Sequence, residues 1–275
     1  MKKPLKPVEM FLAIGLAVTL GACDSPSTNT GEGGEATENT TPAQETVSEG
    51  GEGGEGGEGG ATGNTDVDYM SALGLMKGHL IVAKELMDQG KYEQAEPHIG
   101  HPVEELYGDV EGQLSQRKVA QFKPQLNELH DLVKSTPEKP ETKEAYTQAL
   151  ESIDEAIAAL PETQRQSPEF VLEVIDGLLA TAGEEYEAAI ANGKIVEIVE
   201  YQDSRGFVIY AEDLYQGISE EVSQENPDIA KEIESSLTEL KKAWPTVNPP
   251  DAPVMTPEEV TKLIETINEN SQKVS

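Results

Sequence analysis

Tyr69 to Gly90 reads YMSALGLMKGHLIVAKELMDQG, and this stretch decides the fold class. Tyr69, Ala72, Met76, His79, Ala83 and Leu86 recur at alternating steps of three and four residues. That spacing puts them on one face of an α-helix. Gly90 supplies the stop, because glycine takes the left-handed conformation that ends a helix without steric cost. A strand would alternate with period two, and the one β-like run in the chain is Phe207 to Tyr210.

Working outward, the same pattern repeats almost to the C-terminus. A short helical piece around Tyr92 to Glu96 is expected to break at Pro97. Pro102 reads as the first residue of the next helix, with Val103, Leu106, Val110 and Leu114 inward. Further helices open near Pro124, cover 141–160, and start at Ser167-Pro168, where the order cap then proline is a strong initiation signal. That last helix stops at Asn192-Gly193. A long helix then carries Val199, Phe207, Tyr210, Leu214 and Ile218, and another begins at Pro227 and ends near Trp244. After a proline-rich loop from Pro245 to Pro253, Thr256, Pro257 and Glu259 spell a capping box. Connections are short, so neighbouring helices should run antiparallel. The expectation is an all-α domain over 66–275, an antiparallel helical bundle. A shared Gly-Lys bend at Gly90-Lys91 and Gly193-Lys194 allows two packed helical halves.

Upstream of Asp66 nothing can build a core. Residues 24–65 contain no Lys or Arg, and Glu49 to Gly60 is four copies of Glu-Gly-Gly. Glycine loses the most entropy on ordering, and no apolar surface is present to offset it, so a disordered acidic linker is expected. At the N-terminus Lys2, Lys3 and Lys6 precede an apolar stretch from Met10 to Leu20, too short for the ~20 residues of a bilayer span. Basic start, short apolar core and small residues describe an export signal over 1–22. Its end, Leu20-Gly21-Ala22-Cys23, resembles the bacterial lipobox, which implies diacylglyceryl attachment at Cys23 and cleavage before it. Residues 23–65 then form the lipidated linker. Acyl chains contribute about 0.8 kcal/mol per buried methylene, so two or three anchor the chain firmly to a cell membrane, facing the periplasm or exterior.

Charge narrows the partners. Lys and Arg number 20 against 52 Asp and Glu, a formal net charge of −32. Such a chain repels phosphate backbones, so nucleic acid is excluded as a partner class. Cys23 is the one cysteine, so there is no internal disulfide and no cysteine-based zinc cluster.

All four histidines fall between residues 79 and 130. The tightest group is His98-Ile99-Gly100-His101-Pro102-Val103-Glu104, followed by Glu105. Imidazole and carboxylate together suit iron, zinc, copper or manganese. His79 lies on the apolar line of the preceding helix and can join them. His79, His98, His101, Glu104 and Glu105 are therefore candidate ligands for one metal ion, with iron favoured. The structural alternative is specific: His101 precedes proline and sits at an N-cap, and Glu104 caps that helix from its third position. A second polar strip, Asp203, Arg205 and Gly206, interrupts the apolar face between Val199 and Tyr210. There Gly206 permits close helix approach, and Asp203 pairs with Arg205 or stays exposed; ligation by Asp203 is the less favoured alternative.

Gly90-Lys91 entering a helix, then His101-Pro102-Val103-Glu104-Glu105-Leu106-Tyr107, resembles the HxxE region of the imelysin-like family, and Tyr186 to Tyr215 is similar to that family's later helix pair. The resemblance implies an exported helical bundle, often lipid-anchored and linked to iron acquisition, with His101 and Glu104 as ligands. The family pattern is GxHxxE, whereas Gly100 here directly precedes His101. One branch of that family was described as a peptidase. However, HExxH, GxSxG and phosphate-loop signatures are missing from this sequence, so metallopeptidase activity is not expected. Two functions follow. One is a metal-binding accessory lipoprotein that serves an envelope or transporter protein. The other is a helical scaffold or adaptor without metal.

Overall fold

The computed structural model describes residues 62–274. The export signal, Cys23 and nearly all of the acidic linker lie outside the described residues. No helix among the described residues is long and apolar enough to cross a membrane.

The described chain is a helical bundle. Its helices are α1 (Thr65–Asp88), α2 (Tyr92–His101), α3 (Tyr107–Arg117), α4 (Lys123–Ser135), α5 (Pro140–Ala158), the single turn α6 (Glu162–Arg165), α7 (Pro168–Ala188), α8 (Ile198–Glu225), α9 (Pro227–Leu240) and α10 (Pro257–Ser271). Asn64 caps α1 by accepting from the Asp66 N–H, which satisfies one of the unpaired donors of the first turn. Thr256 and Glu259 form the capping box of α10 with both hydrogen bonds present.

α1 is the central helix. The three-four stripe anticipates one buried face, but Leu73, Leu75, Leu80 and Val82, which lie off that stripe, are fully or almost fully buried as well. A helix apolar on all sides belongs inside a bundle rather than on its surface. α1 packs against α2, α5, α7 and α8, and one continuous core runs through all of them. The closest approach is between α1 and α8. A Cβ on Gly206 would lie 2.3 Å from the Gly78 carbonyl oxygen, and one on Gly78 would lie 2.5 Å from Phe207 Cδ1. Two glycines thus let the backbones touch, as expected of Gly206.

Three local expectations are corrected. α2 does not break at Pro97 but runs through it to His101. Pro102 does not start a fresh helix: His101 is helical (φ −52°, ψ −46°), and Pro102–Leu106 is a π-helical turn that leads directly into α3. Proline lacks the N–H for the bond to His98 and its ring crowds that carbonyl; widening the helix by one residue carries the chain past the defect. Finally, Asn192-Gly193 ends α7 and also forms the turn of a small hairpin, Ile190–Ala191 paired with Lys194–Ile195, so α8 begins at Ile198. Both turn residues have positive φ, 55° and 70°, which is the signature of Asn-Gly hairpins.

Candidate metal centre

The glycine contact sets the site. Gly78 places His79 against α8, where Asp203 stands three residues before Gly206. α2 crosses the same point and brings His98. His79 Nδ1 and His98 Nδ1 each lie 2.6 Å from Asp203 Oδ1. All three residues are buried, and their ligating atoms fall within 4.8 Å of one another. Phe207 packs edge-on against the His79 ring at 4.9 Å. Aromatic pairs of this kind contribute roughly 0.5–1.5 kcal/mol and hold ring orientation.

His101 completes the group from the outside. Its Nδ1 is 3.3 Å from Asp203 Oδ2, off the hydrogen-bond line, and this buried nitrogen has no hydrogen-bond partner. Its Nε2 is 4.0 Å from Glu105 Oε1. Nδ1 faces the Asp203 carboxylate and can either share a proton with it or offer its lone pair to a cation.

The protonation of His98 can be worked out from its neighbours. Gln202 Nε2 donates to the Val247 carbonyl, 3.0 Å away, and that oxygen can only accept. The other end of the amide, Oε1, therefore faces His98 Nε2 at 2.9 Å and must accept from it. His98 Nε2 thus carries the hydrogen. A neutral His98 then turns a bare lone pair at Nδ1 toward a carboxylate oxygen 2.6 Å away. Two acceptors at that distance need a cation between them, either a proton or a metal ion. A second-sphere acceptor that fixes the tautomer and leaves the other nitrogen bare is the usual support of a metal-bound histidine.

Electrostatics agree. Burial opposes ionisation of Asp203, but the cationic forms of His79 and His98, with hydrogen bonds from His101 and His79, outweigh it and hold the carboxyl well below the usual range, and a bound cation would act in the same sense. Burial likewise works against charge on His101, yet the Asp203 carboxylate, aided by Glu105 and opposed by His79, raises its pKa. The site is a buried carboxylate faced by three imidazoles.

Of the five ligands anticipated, the fold brings His79, His98 and His101 together and sets Glu105 at the rim. Glu104 points elsewhere: it is exposed, acts on Lys134, and neighbours Gly100 on the His130 side of α2. His130 binds Glu96 at 2.5 Å, and Lys134 shares that carboxylate at 2.8 Å, so the fourth histidine makes a structural contact away from the site. The expected Asp203–Arg205 pair does not form. Arg205 reaches back to Glu85 on α1, which frees Asp203 for the histidines. Asp203 and Gln202 are the residues that sequence reasoning underrated. Their signal was a polar run, Gln202-Asp203-Ser204, set among Tyr201 and Phe207 and buried throughout.

Residues 161–275 match the family model of the iron permease-associated 4-helix bundle domain. No curated protein and no solved structure matches the chain. The matched segment runs from α6 through α10 and holds Gln202 and Asp203; the three histidines of the site precede it. The match is to this iron-associated bundle and not to an imelysin-like family.

Proposed function

We propose that this chain is an extracytoplasmic lipoprotein, anchored through Cys23, whose helical bundle binds one divalent transition-metal ion as an accessory to iron uptake or homeostasis. His79, His98 and Asp203 would hold the ion, with His101 as a further imidazole donor. The observation that supports this reading is the Val247–Gln202–His98 chain, which places the hydrogen on Nε2 and leaves Nδ1, 2.6 Å from Asp203 Oδ1, to be bridged by a proton or a metal ion. Two imidazoles and one carboxylate form a donor set suited to ferrous iron, with zinc, copper and manganese as chemical competitors. The preference for iron, and for a permease as partner, comes from the description of the matched domain. The reading is of a binding protein rather than a metallopeptidase.

Calorimetric titration with ferrous iron under anaerobic conditions, and separately with zinc, tests it on wild type and on His98→Ala with Asp203→Asn. The variant is expected to lose at least about 100-fold in affinity, since it removes a ligand and the charge at the centre. Equal binding by both proteins would move the ion to dispersed surface carboxylates. No binding by wild type would leave the adaptor function.

A further inference from the structure

Resting on that metal-binding reading, the geometry points to a portal for the ion. Glu105 and Nε2 of His101 form a transient cation site at the rim, and His101 passes the ion inward to Asp203. Exposure falls steadily along this line: the Glu105 side chain is 30% exposed, His101 20% and Asp203 2%. His79 and His98 are fully enclosed, so neither can meet an incoming ion first. His101 alone of the three histidines touches both environments, with Nε2 toward Glu105 and Nδ1 toward the centre. Imidazole can ligate through either nitrogen. A hydrated cation loses its water stepwise along this line, to a part-exposed carboxylate, then to a half-buried imidazole, then to the buried carboxylate. That spares it a single costly desolvation.

The π-turn supports the assignment. Glu105 sits within Pro102–Leu106, directly after His101, where Pro102 withholds a backbone hydrogen bond. Glu105 also differs from its neighbour. Glu104 interacts with Lys134, whereas Glu105 acts on His101. In this assignment Glu105 is a positioning residue for the arriving ion and not a resident ligand, because the His101 ring lies between it and Asp203.

Stopped-flow mixing of the full-length, detergent-solubilised chain with cobalt(II), followed by its ligand-field absorption, tests the portal. Glu105→Gln should lower both the association and the dissociation rate by about tenfold while Kd stays within about threefold. Glu105→Asp, which keeps the charge, should retain most of the rate. Glu128→Gln, a charge change at an exposed position on α4, controls for general steering by the acidic surface. A Glu105→Gln rate equal to that control overturns the portal, and so does a rise in Kd that matches the fall in association rate. In either case a normal cobalt spectrum leaves the buried site intact. Failure of wild type to bind cobalt overturns the portal and the metal reading together.

Discussion

Gly206→Ala tests whether the α1–α8 contact is what assembles the site. The added Cβ would fall 2.3 Å from the Gly78 carbonyl oxygen and 2.8 Å from Val82 Cγ2. Packed Cβ atoms essentially never approach closer than 3.0 Å, so the helices must part by at least 0.7 Å, the difference between 3.0 and 2.3 Å. The nearest obstructing atom belongs to the backbone, so no side-chain rotation relieves it. Overpacking of this kind costs about 1–3 kcal/mol, and the rigid neighbour argues for the upper part of that range. The same displacement draws His79, which follows Gly78, away from Asp203, three residues before Gly206. Metal sites tolerate errors of about 0.2 Å in ligand distance, so affinity should fall on the order of tenfold to 100-fold. Urea denaturation followed by circular dichroism gives the stability, and cobalt or zinc titration gives the affinity. A variant that is destabilised but binds like wild type would show that His79 is not held by this contact. A variant unchanged in both would refute the packing argument itself.

Asp203→Asn should cost about 3–5 kcal/mol at neutral pH, because it leaves buried imidazoles without their counter-charge. The Asp203 carboxyl is depressed in the fold, so its stabilisation is present above the ordinary carboxylate range and lost as pH falls through the folded value. The gap between wild type and variant should therefore narrow on acidification, as denaturation midpoints from pH 7 to pH 3 would record; a constant gap would contradict the ionic assignment. Asp176 on α7 behaves oppositely: burial pushes its carboxyl up to about 6, against the opposing pull of nearby Ser271 and Asn268. Its contribution is greatest at acid pH and lost as pH rises through about 6, so Asp176→Asn should stabilise at pH 7 by roughly 2–3 kcal/mol and gain little below pH 4. Equal effects at both pH values would show that these neighbours rather than the charge decide. Cys23→Ser should abolish lipid labelling and membrane fractionation, and a labelled mutant would remove the anchor from the proposal.

The all-helical class was legible because amphipathic periodicity and proline-marked starts are local signals, as at Ser167-Pro168 and Thr256-Pro257. The centrality of α1 was less so. Its stripe names one face, and only the packing of α2, α5, α7 and α8 around it shows that the others are buried too. The course of the chain through Pro97 and Pro102 departs from the local expectation for a physical reason. Proline's local cost is real, but tertiary packing can absorb it in a π-turn. In the site, the histidines were visible by composition and spacing. Their carboxylate partner was not, since Asp203 is 105 residues from His98. The HxxHxxE spacing and the HxxE resemblance point instead to the near neighbour Glu104. Widening by one residue per turn changes which side chains share a face, so the HxxE spacing that reads as one ligand face in a regular helix ceases to be one here.

The division of the site across the chain has a consequence for stability. The histidines come from α1 and α2, whereas Asp203 and Gln202 come from α8, inside the segment that matches the iron permease-associated domain. Gln202 is tied to Val247, and the loop beyond it returns to the first helices: Asn248 Nδ2 donates to Gln89 Oε1, and Lys91 bonds Asn248. An ion bound between His98 and Asp203 would therefore bridge the two parts of the bundle at a buried point. Any ligand that binds the folded state alone stabilises it by mass action, about 4.1 kcal/mol at a thousandfold excess over Kd. Without the ion, the same bridge depends on a proton shared between Nδ1 and Oδ1, a weaker link that changes with pH. In the proposed function, metal loading and helix association would thus be two readings of one equilibrium. An increase in thermal stability that scales with the logarithm of ferrous-iron concentration, and disappears in Asp203→Asn, would measure that coupling directly. A metal-induced shift of the same size in Asp203→Asn would place the ion away from the bridge.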